Sequence, residues 1–238
     1  MEQVVTHSHS QSHSFKDFTG GYNPHSGFFL SRTILDGDYD NDIQQLEDKM
    51  LNLQCDPNYS RHLEDRNTDD IFKIISFKSA DGTNETQSAP PEPEIPENFS
   101  YTPAYYNSPT IRKAIDWFEC EKARVRIFRQ LPEQNLQLHH DFDNERHSYN
   151  KSHTMVRILM PLNSKRDSYL NLANSNSDIM VKLEKGQFAI INTDFVWHGT
   201  VTYDSKPRDM LNMIVKWNDW LYDITRSKPN VAVERISI

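Results

Sequence analysis

Three side chains of this 238-residue sequence are spaced as metal ligands can be: His139, Asp141 and His198. In Leu138-His139-His140-Asp141-Phe142 the histidine and the acid stand two positions apart. Residues i and i+2 of a strand project from one face, about 6.6 Å apart along the chain. An imidazole nitrogen and a carboxylate oxygen placed so can aim at one point. The pair alone is a weak signal, because ten histidines among many acids produce such a pattern by chance. A second feature lies downstream. Gly186-Gln187-Phe188 opens an apolar strand, and Asp194-Phe195-Val196-Trp197-His198-Gly199 follows it. His198 comes 57 positions after Asp141, an excursion long enough to travel round a barrel and return a third ligand. The alternative pair, His140 with Asp143, spans three positions and points to opposite faces of a regular strand, so His139 with Asp141 is preferred.

Two histidines and one carboxylate on one face of a metal leave three positions open, the facial triad of non-haem Fe(II) oxygenases. The open positions are a chemical need, since a co-substrate and dioxygen must both reach the iron. Arg208 stands ten positions after His198 and opens the next strand. Oxygenases of this type use 2-oxoglutarate, whose distal carboxylate suits the planar two-pronged guanidinium better than an ammonium. Arg157 interrupts the apolar run Met155–Leu162, where a charge is costly to bury without an anionic partner. It either assists at the co-substrate or pairs with an acid across the barrel. Arg124 and Arg126 share a strand face, fit for a substrate carboxylate or for salt bridges on the barrel exterior. Trp197 either walls the pocket or belongs to the core. His147 and His153 fall in an expected loop.

The elements that must position these residues are legible in outline. Phe28–Leu35 reads as a strand, and Ile43, Leu46, Met50 and Leu53 follow helical spacing. Ile71–Phe77 reads as a strand ended by the turn signal Asp81-Gly82. Ala89–Pro96 carries four of the twelve prolines and is read as an extended surface connection. Ser108-Pro109 supplies a helix N-cap and a first-turn proline, with Ile111, Ala114, Ile115 and Phe118 on one face of the helix. After Cys120, strand-like runs appear at Arg124–Leu131, Asn135–Asp141, Met155–Leu162, Ile179–Leu183, Phe188–Asn192 and Met210–Trp217. The Asn- and Ser-rich segment Asn163–Asp178 is read as a loop. Many short strands after a helical prelude predict a mainly β (α+β) fold, a jelly roll or double-layered barrel with flanking helices. Residues 1–25 are expected to form a disordered His/Ser-rich tail, and residues 26–238 a single domain with its β core at about 120–217.

Composition narrows the function classes. The chain is 36% hydrophobic and 25% charged, with a formal charge of −8. Such an acidic chain lacks the basic surface that phosphate neutralisation demands, so no nucleic-acid partner is expected. No run approaches the roughly 18 to 20 apolar residues of a membrane span, and no basic-then-apolar leader is visible. Cys55 and Cys120 are too few for a disulfide scaffold and fit a reducing, cytoplasmic location.

In combination these motifs resemble the 2-oxoglutarate-dependent oxygenases that group aspartyl/asparaginyl β-hydroxylases with cis-proline hydroxylases. The resemblance runs from about Ile71 to Trp217. A strand with R-x-R followed by H-x-D is present as Arg124–Arg126 through Asp141. The R-x-H-x-P-L strand is similar to Arg157–Leu162, with Leu159 where histidine is usual, so one hydrogen bond to the co-substrate is not expected here. The block of glycine, strand, histidine and a later arginine runs from Gly186 to Arg208. The resemblance implies a double-stranded β-helix binding Fe(II) through His139, Asp141 and His198. Arg208 would hold the distal carboxylate of 2-oxoglutarate, with Arg157 assisting. Dioxygen and 2-oxoglutarate would yield succinate, carbon dioxide and a hydroxylated substrate. The expected substrate is an amino-acid side chain, in a free amino acid or small derivative, because no separate domain is present to grip a protein. Arg126, Arg124 and Trp197 are its candidate contacts. The alternatives are a peptidyl aspartyl/asparaginyl β-hydroxylase and a non-catalytic cupin-like binder. Asp141 argues against a halogenase, whose halide takes the carboxylate's position.

Overall fold

The run Met155–Pro161 is apolar on both faces apart from Arg157, and only a central strand of a sheet covered on both sides accepts that pattern. The computed structural model places it so. The structure describes residues 5–6, 27–52, 72–80, 82, 95–132, 135–139, 155–163, 168–173, 178–192, 196–225 and 233–238. The strands are β1 (Val5–Thr6), β2 (Phe28–Asp36), β3 (Phe72–Ser79), β4 (Ser100–Tyr101), β5 (Lys122–Gln130), β6 (Asn135–His139) and β7 (Met155–Pro161), followed by β8 (Ser168–Ala173), β9 (Asp178–Val181), β10 (Gln187–Ile191), β11 (Trp197–Thr202), β12 (Arg208–Lys216) and β13 (Glu234–Ser237). The helices are α1 (Tyr39–Asn52), α2 (Pro103–Asn107), α3 (Pro109–Trp117) and α4 (Asp219–Thr225).

Two sheets face each other. The larger runs β13-β2-β10-β7-β12-β5-β3-β4 and the smaller β1-β9-β8-β11-β6. Strands β5, β7, β10 and β12 belong to the first and β6, β8, β9 and β11 to the second, so the chain crosses repeatedly between layers. The pairs among these eight strands are antiparallel. This is the double-stranded β-helix, a jelly-roll or cupin-like barrel with flanking helices.

Strand alternation divides the core. Ile158, Met160, Ile190, Leu211 and Met213 turn to the helices, where they pack with Ile43, Leu46, Ile111, Ile115 and Phe118. Their neighbours Leu159, Ala189, Ile191 and Met210 turn inward and meet Leu170, Leu172, Ile179 and Val181 of the smaller sheet. Each fully buried Leu or Ile contributes about 1.5–3 kcal/mol, so shifting a strand by one residue would lose both layers together.

Gly186 joins β9 to β10 at φ +79°, and a Cβ there would lie 2.0 Å from the Leu35 carbonyl oxygen. Its N–H donates to Pro161 O at 2.8 Å and its carbonyl accepts from Leu35 N–H at 3.0 Å, pinning the turn between β2 and β7. Only glycine fits both the dihedral and the space.

Three expectations change. The segment read as a loop over Asn163–Asp178 contains β8, whose buried and half-buried residues alternate strictly. Its one asparagine, Asn171, alternates with the buried Leu170 and Leu172, which disguises a strand in composition while leaving its period intact. Second, Ser108 occupies the N-cap position of α3 but makes no capping hydrogen bond. Asp42 of α1 caps the helix instead, Oδ2 accepting from the N–H groups of Thr110 and Ile111 at 2.8 Å each. A carboxylate is the stronger acceptor at the positive end of a helix. Third, β11 and β13 were not anticipated as strands, whereas β12 does open at Arg208. The expected tail lies outside the described residues except for β1. Ile71, Asp81, Cys55 and most of Ala89–Pro96 also lie outside them. Among the described residues no helix is long and apolar enough to cross a membrane.

Candidate metal and anion site

His139 and His198 come from neighbouring strands of the smaller sheet, where β6 and β11 pair His139 directly with His198. Their ring centroids are 4.3 Å apart, with planes tilted by 44°. Two imidazoles bound to one metal at about 2.1 Å and at right angles place their centroids about 4.5 Å apart, so the pair fits a shared ion.

The hydrogen bonds prepare the same nitrogen on each ring. Nδ1 of His139 lies 2.8 Å from Gln137 O, and Nδ1 of His198 lies 3.3 Å from Val196 O. A carbonyl only accepts, so each Nδ1 carries a hydrogen, which leaves Nε2 as the nitrogen a metal would take. Arg157 supports this assignment, because its Nη1 lies 3.4 Å from His198 Nε2 and a guanidinium only donates. A backbone partner that fixes tautomer and ring orientation is the usual outer support of a metal-ligating histidine.

Gly199 brings the two strands this close. The β6–β11 register shifts between His198 and Thr200, a bulge opposite Gly199. A Cβ at that position would lie 2.7 Å from Leu136 O and 3.0 Å from the Leu138 nitrogen. Asp141, the expected third ligand, lies outside the described residues, as do His140, His147 and His153. Among the described residues no group of three ligand-type side chains converges.

Arg208 opens β12 on the inward face, two residues before Met210. It is buried, and Nη1 reaches across to donate to Tyr169 O of β8 at 3.3 Å. No carboxylate pairs with it among the described residues, and burial alone lowers its pKa to about 10. Hydroxyls surround the point it reaches. Val201 pairs with Tyr169, and the flanking Thr200 and Thr202 face inward with Ser168. Ser168 and Thr202 share a hydrogen bond of 2.5 Å, whereas Thr200 Oγ1 is buried without one.

Among the described residues Arg126 is the largest fully buried side chain, 1% exposed, and it pairs with Asn212 on the face that carries Leu159. It therefore points into the barrel, where its guanidinium carbon lies 5.1 Å from the Phe128 ring. Arg124, two residues earlier, is also buried. Trp197 precedes His198 and by alternation lies on the outer face, 46% exposed. It neither walls the space between the sheets nor joins the core. The structure thus brings together His139, His198 and Arg157, and places Arg208 deeper between the sheets.

A second cluster was not visible in the sequence. Asp209, whose side chain turns to the helix layer, accepts from Arg129 Nε at 2.8 Å and Nη2 at 3.1 Å. Arg129 also holds Glu47 of α1 through Nη1 at 2.6 Å. Asn163 Nδ2 donates to Asp209 Oδ2 at 2.7 Å. An acid directly after Arg208 was the only available signal, and it did not reveal which cation it serves.

No protein-family model and no curated protein matches the sequence. Solved structures do. A prolyl hydroxylase from Trichoplax adhaerens, solved with a peptide fragment of a hypoxia-inducible-factor oxygen degradation domain, is 10% identical over 90% of this chain and 91% of that one, with a TM-score of 0.52. A Pseudomonas putida prolyl-4-hydroxylase is 14% identical over 87% and 99% of the two chains, at 0.48. An oxidoreductase of the 2OG-Fe(II) oxygenase family from Burkholderia pseudomallei is 12% identical over 86% and 97%, at 0.41. The chain therefore shares, along most of its length, the double-stranded β-helix fold of the Trichoplax enzyme.

Proposed function

We propose that the chain is an Fe(II)- and 2-oxoglutarate-dependent dioxygenase that hydroxylates an amino-acid side chain, in a free amino acid or small derivative. The observation that carries this reading is the His139–His198 pair, its ring centroids 4.3 Å apart and each Nδ1 facing a backbone carbonyl, with a buried guanidinium deeper in the barrel that pairs with no carboxylate among the described residues. His139, Asp141 and His198 would hold the iron, which when bound supplies the activation of dioxygen. Imidazole and carboxylate donors suit ferrous iron.

The remaining roles belong to the chain itself. Arg208 binds the distal carboxylate of 2-oxoglutarate with the help of the Thr200 hydroxyl, and the apolar walls Leu170 and Met210 exclude water from that pair. Arg157 sits 3.4 Å from the nitrogen that would ligate the metal. Two cations so close need an anion between them, and the proximal carboxylate of the co-substrate meets that need. Arg126 and Arg124, also on the larger sheet, orient a substrate through its carboxylate. A cupin-like binder would have no use for a buried arginine at the position of Arg208, which is why the catalytic reading is preferred.

The test is an anaerobic titration of the full-length chain with Fe(II) and then 2-oxoglutarate, followed by succinate assays with amino acids and short peptides. The weak visible charge-transfer band of the ternary complex is expected for the wild type and lost in His198→Ala. Absence of the band in the wild type, or succinate turnover retained in His198→Ala, overturns the reading.

A further inference from the structure

We propose that Asn163 is a positioning residue that sets the reach of Arg208 and so the chain length of the dicarboxylate the barrel accepts; this rests on the reading of Arg208 given above. Asn163 follows β7 and touches neither His139 nor His198. Its side chain bridges the residues on both sides of Arg208. Nδ2 donates to Pro207 O at 3.4 Å and to Asp209 Oδ2 at 2.7 Å, while Oδ1 accepts from the Asp209 N–H at 3.1 Å. The backbone adds one more tie, Leu162 N–H to Asp209 O at 2.9 Å. Asp209 is in turn held by Arg129, itself anchored on Glu47.

Arg208 is the first residue of its strand, preceded by the exposed turn at 203–206, so the ladder constrains it from one side only. Asn163 supplies the missing constraint. The geometry has leverage: a guanidinium sits roughly 7 Å from its Cα, so a backbone rotation of about 10° moves it by about 1 Å, a displacement that can cost about 100-fold in a positioned site. With the clamp intact, only a carboxylate at one distance from the metal meets Arg208.

The test uses the full-length chain loaded anaerobically with Mn(II) as an oxygen-inert stand-in for iron. Calorimetric titrations with 2-oxoglutarate, the shorter oxaloacetate and the longer 2-oxoadipate are compared for wild type, Asn163→Ala, Asn163→Ser and Arg208→Met. Asn163→Ala is expected to weaken 2-oxoglutarate by about 10- to 100-fold and to flatten its preference over the other two acids, with Mn(II) affinity within about twofold of wild type. Asn163→Ser, which keeps a short polar arm, should fall between, and serves if the alanine variant does not fold. Unchanged affinity and preference in the Asn163 variants, while Arg208→Met loses binding, overturns this proposal alone. A parallel loss of Mn(II) affinity in the Asn163 variants also overturns it, since a merely structural role predicts that. Retained binding in Arg208→Met overturns the functional reading first.

Discussion

Replacing Arg208 by methionine should raise the stability of the empty protein and abolish its stabilisation by 2-oxoglutarate. The side chain is buried, its one hydrogen bond among the described residues goes to a backbone carbonyl at 3.3 Å, and burial lowers its pKa to about 10. At about 1.4 kcal/mol per tenfold, that fall from the ordinary arginine value disfavours the charged form by about 3 kcal/mol. Methionine removes this cost, forfeits a hydrogen bond of about 1 kcal/mol, and keeps most of the apolar stem. The net gain of about 1–2 kcal/mol corresponds to a melting temperature about 2–8 °C higher for a chain of this size. Ligand acts in the opposite direction. With 2-oxoglutarate at 100 times its Kd, Mn(II) present and oxygen excluded, the wild type gains about 2.7 kcal/mol. Losing a buried charge-assisted pair costs about 2–5 kcal/mol of affinity, which leaves the variant less than about 1 kcal/mol of that gain. Thermal scans with and without 2-oxoglutarate should therefore show a ligand-induced gain of about 2.7 kcal/mol for wild type and less than about 1 kcal/mol for the variant. A variant that melts below wild type when empty and keeps the full ligand-induced shift would refute the reasoning.

Gly199→Ala should drive β6 away from β11, because the added Cβ would sit 2.7 Å from Leu136 O. Co(II) affinity, followed by its visible absorption, is expected to fall at least about tenfold with the barrel still folded by circular dichroism, and unchanged affinity would dismiss the role assigned to the bulge. Asp42 offers a pH test. Burial pushes its carboxyl above the usual range, opposed by the Ile111 and Thr110 N–H bonds and reinforced by Asp38. Protonating Oδ1, which is buried without a hydrogen bond, leaves Oδ2 to cap α3. A carboxyl with a raised folded-state pKa contributes most below the ordinary value and loses that contribution as pH rises through the raised one. Urea unfolding should therefore show wild type gaining on Asp42→Asn as pH falls from 7 to 4. A constant difference would mean Asp42 stays ionised.

The residue types that could hold a metal and an anion were legible in the sequence, and so was the periodicity that selects a β-helix. His139, His198, Arg157 and Arg208 all sit at strand positions whose face follows from counting by two. The same counting sends Trp197 outward, a consequence of its place beside His198 rather than of its size. Segment Ser168–Ala173 escaped because asparagine lowers strand propensity, while the barrel rewards the alternation of Leu170 and Leu172 with burial.

Everything that depends on which strand lies beside which was decided only by the tertiary structure. The pairing of β6 with β11 sets His139 against His198 across 58 intervening positions, and a glycine rather than a ligand residue permits their approach. Asp42 rather than Ser108 caps α3, and Asn163 and Arg129 rather than any near neighbour hold the residues around Arg208. Local patterns encode which face a side chain takes, because that is a property of one strand. Partners are chosen by the summed burial of both layers, a quantity no single segment contains.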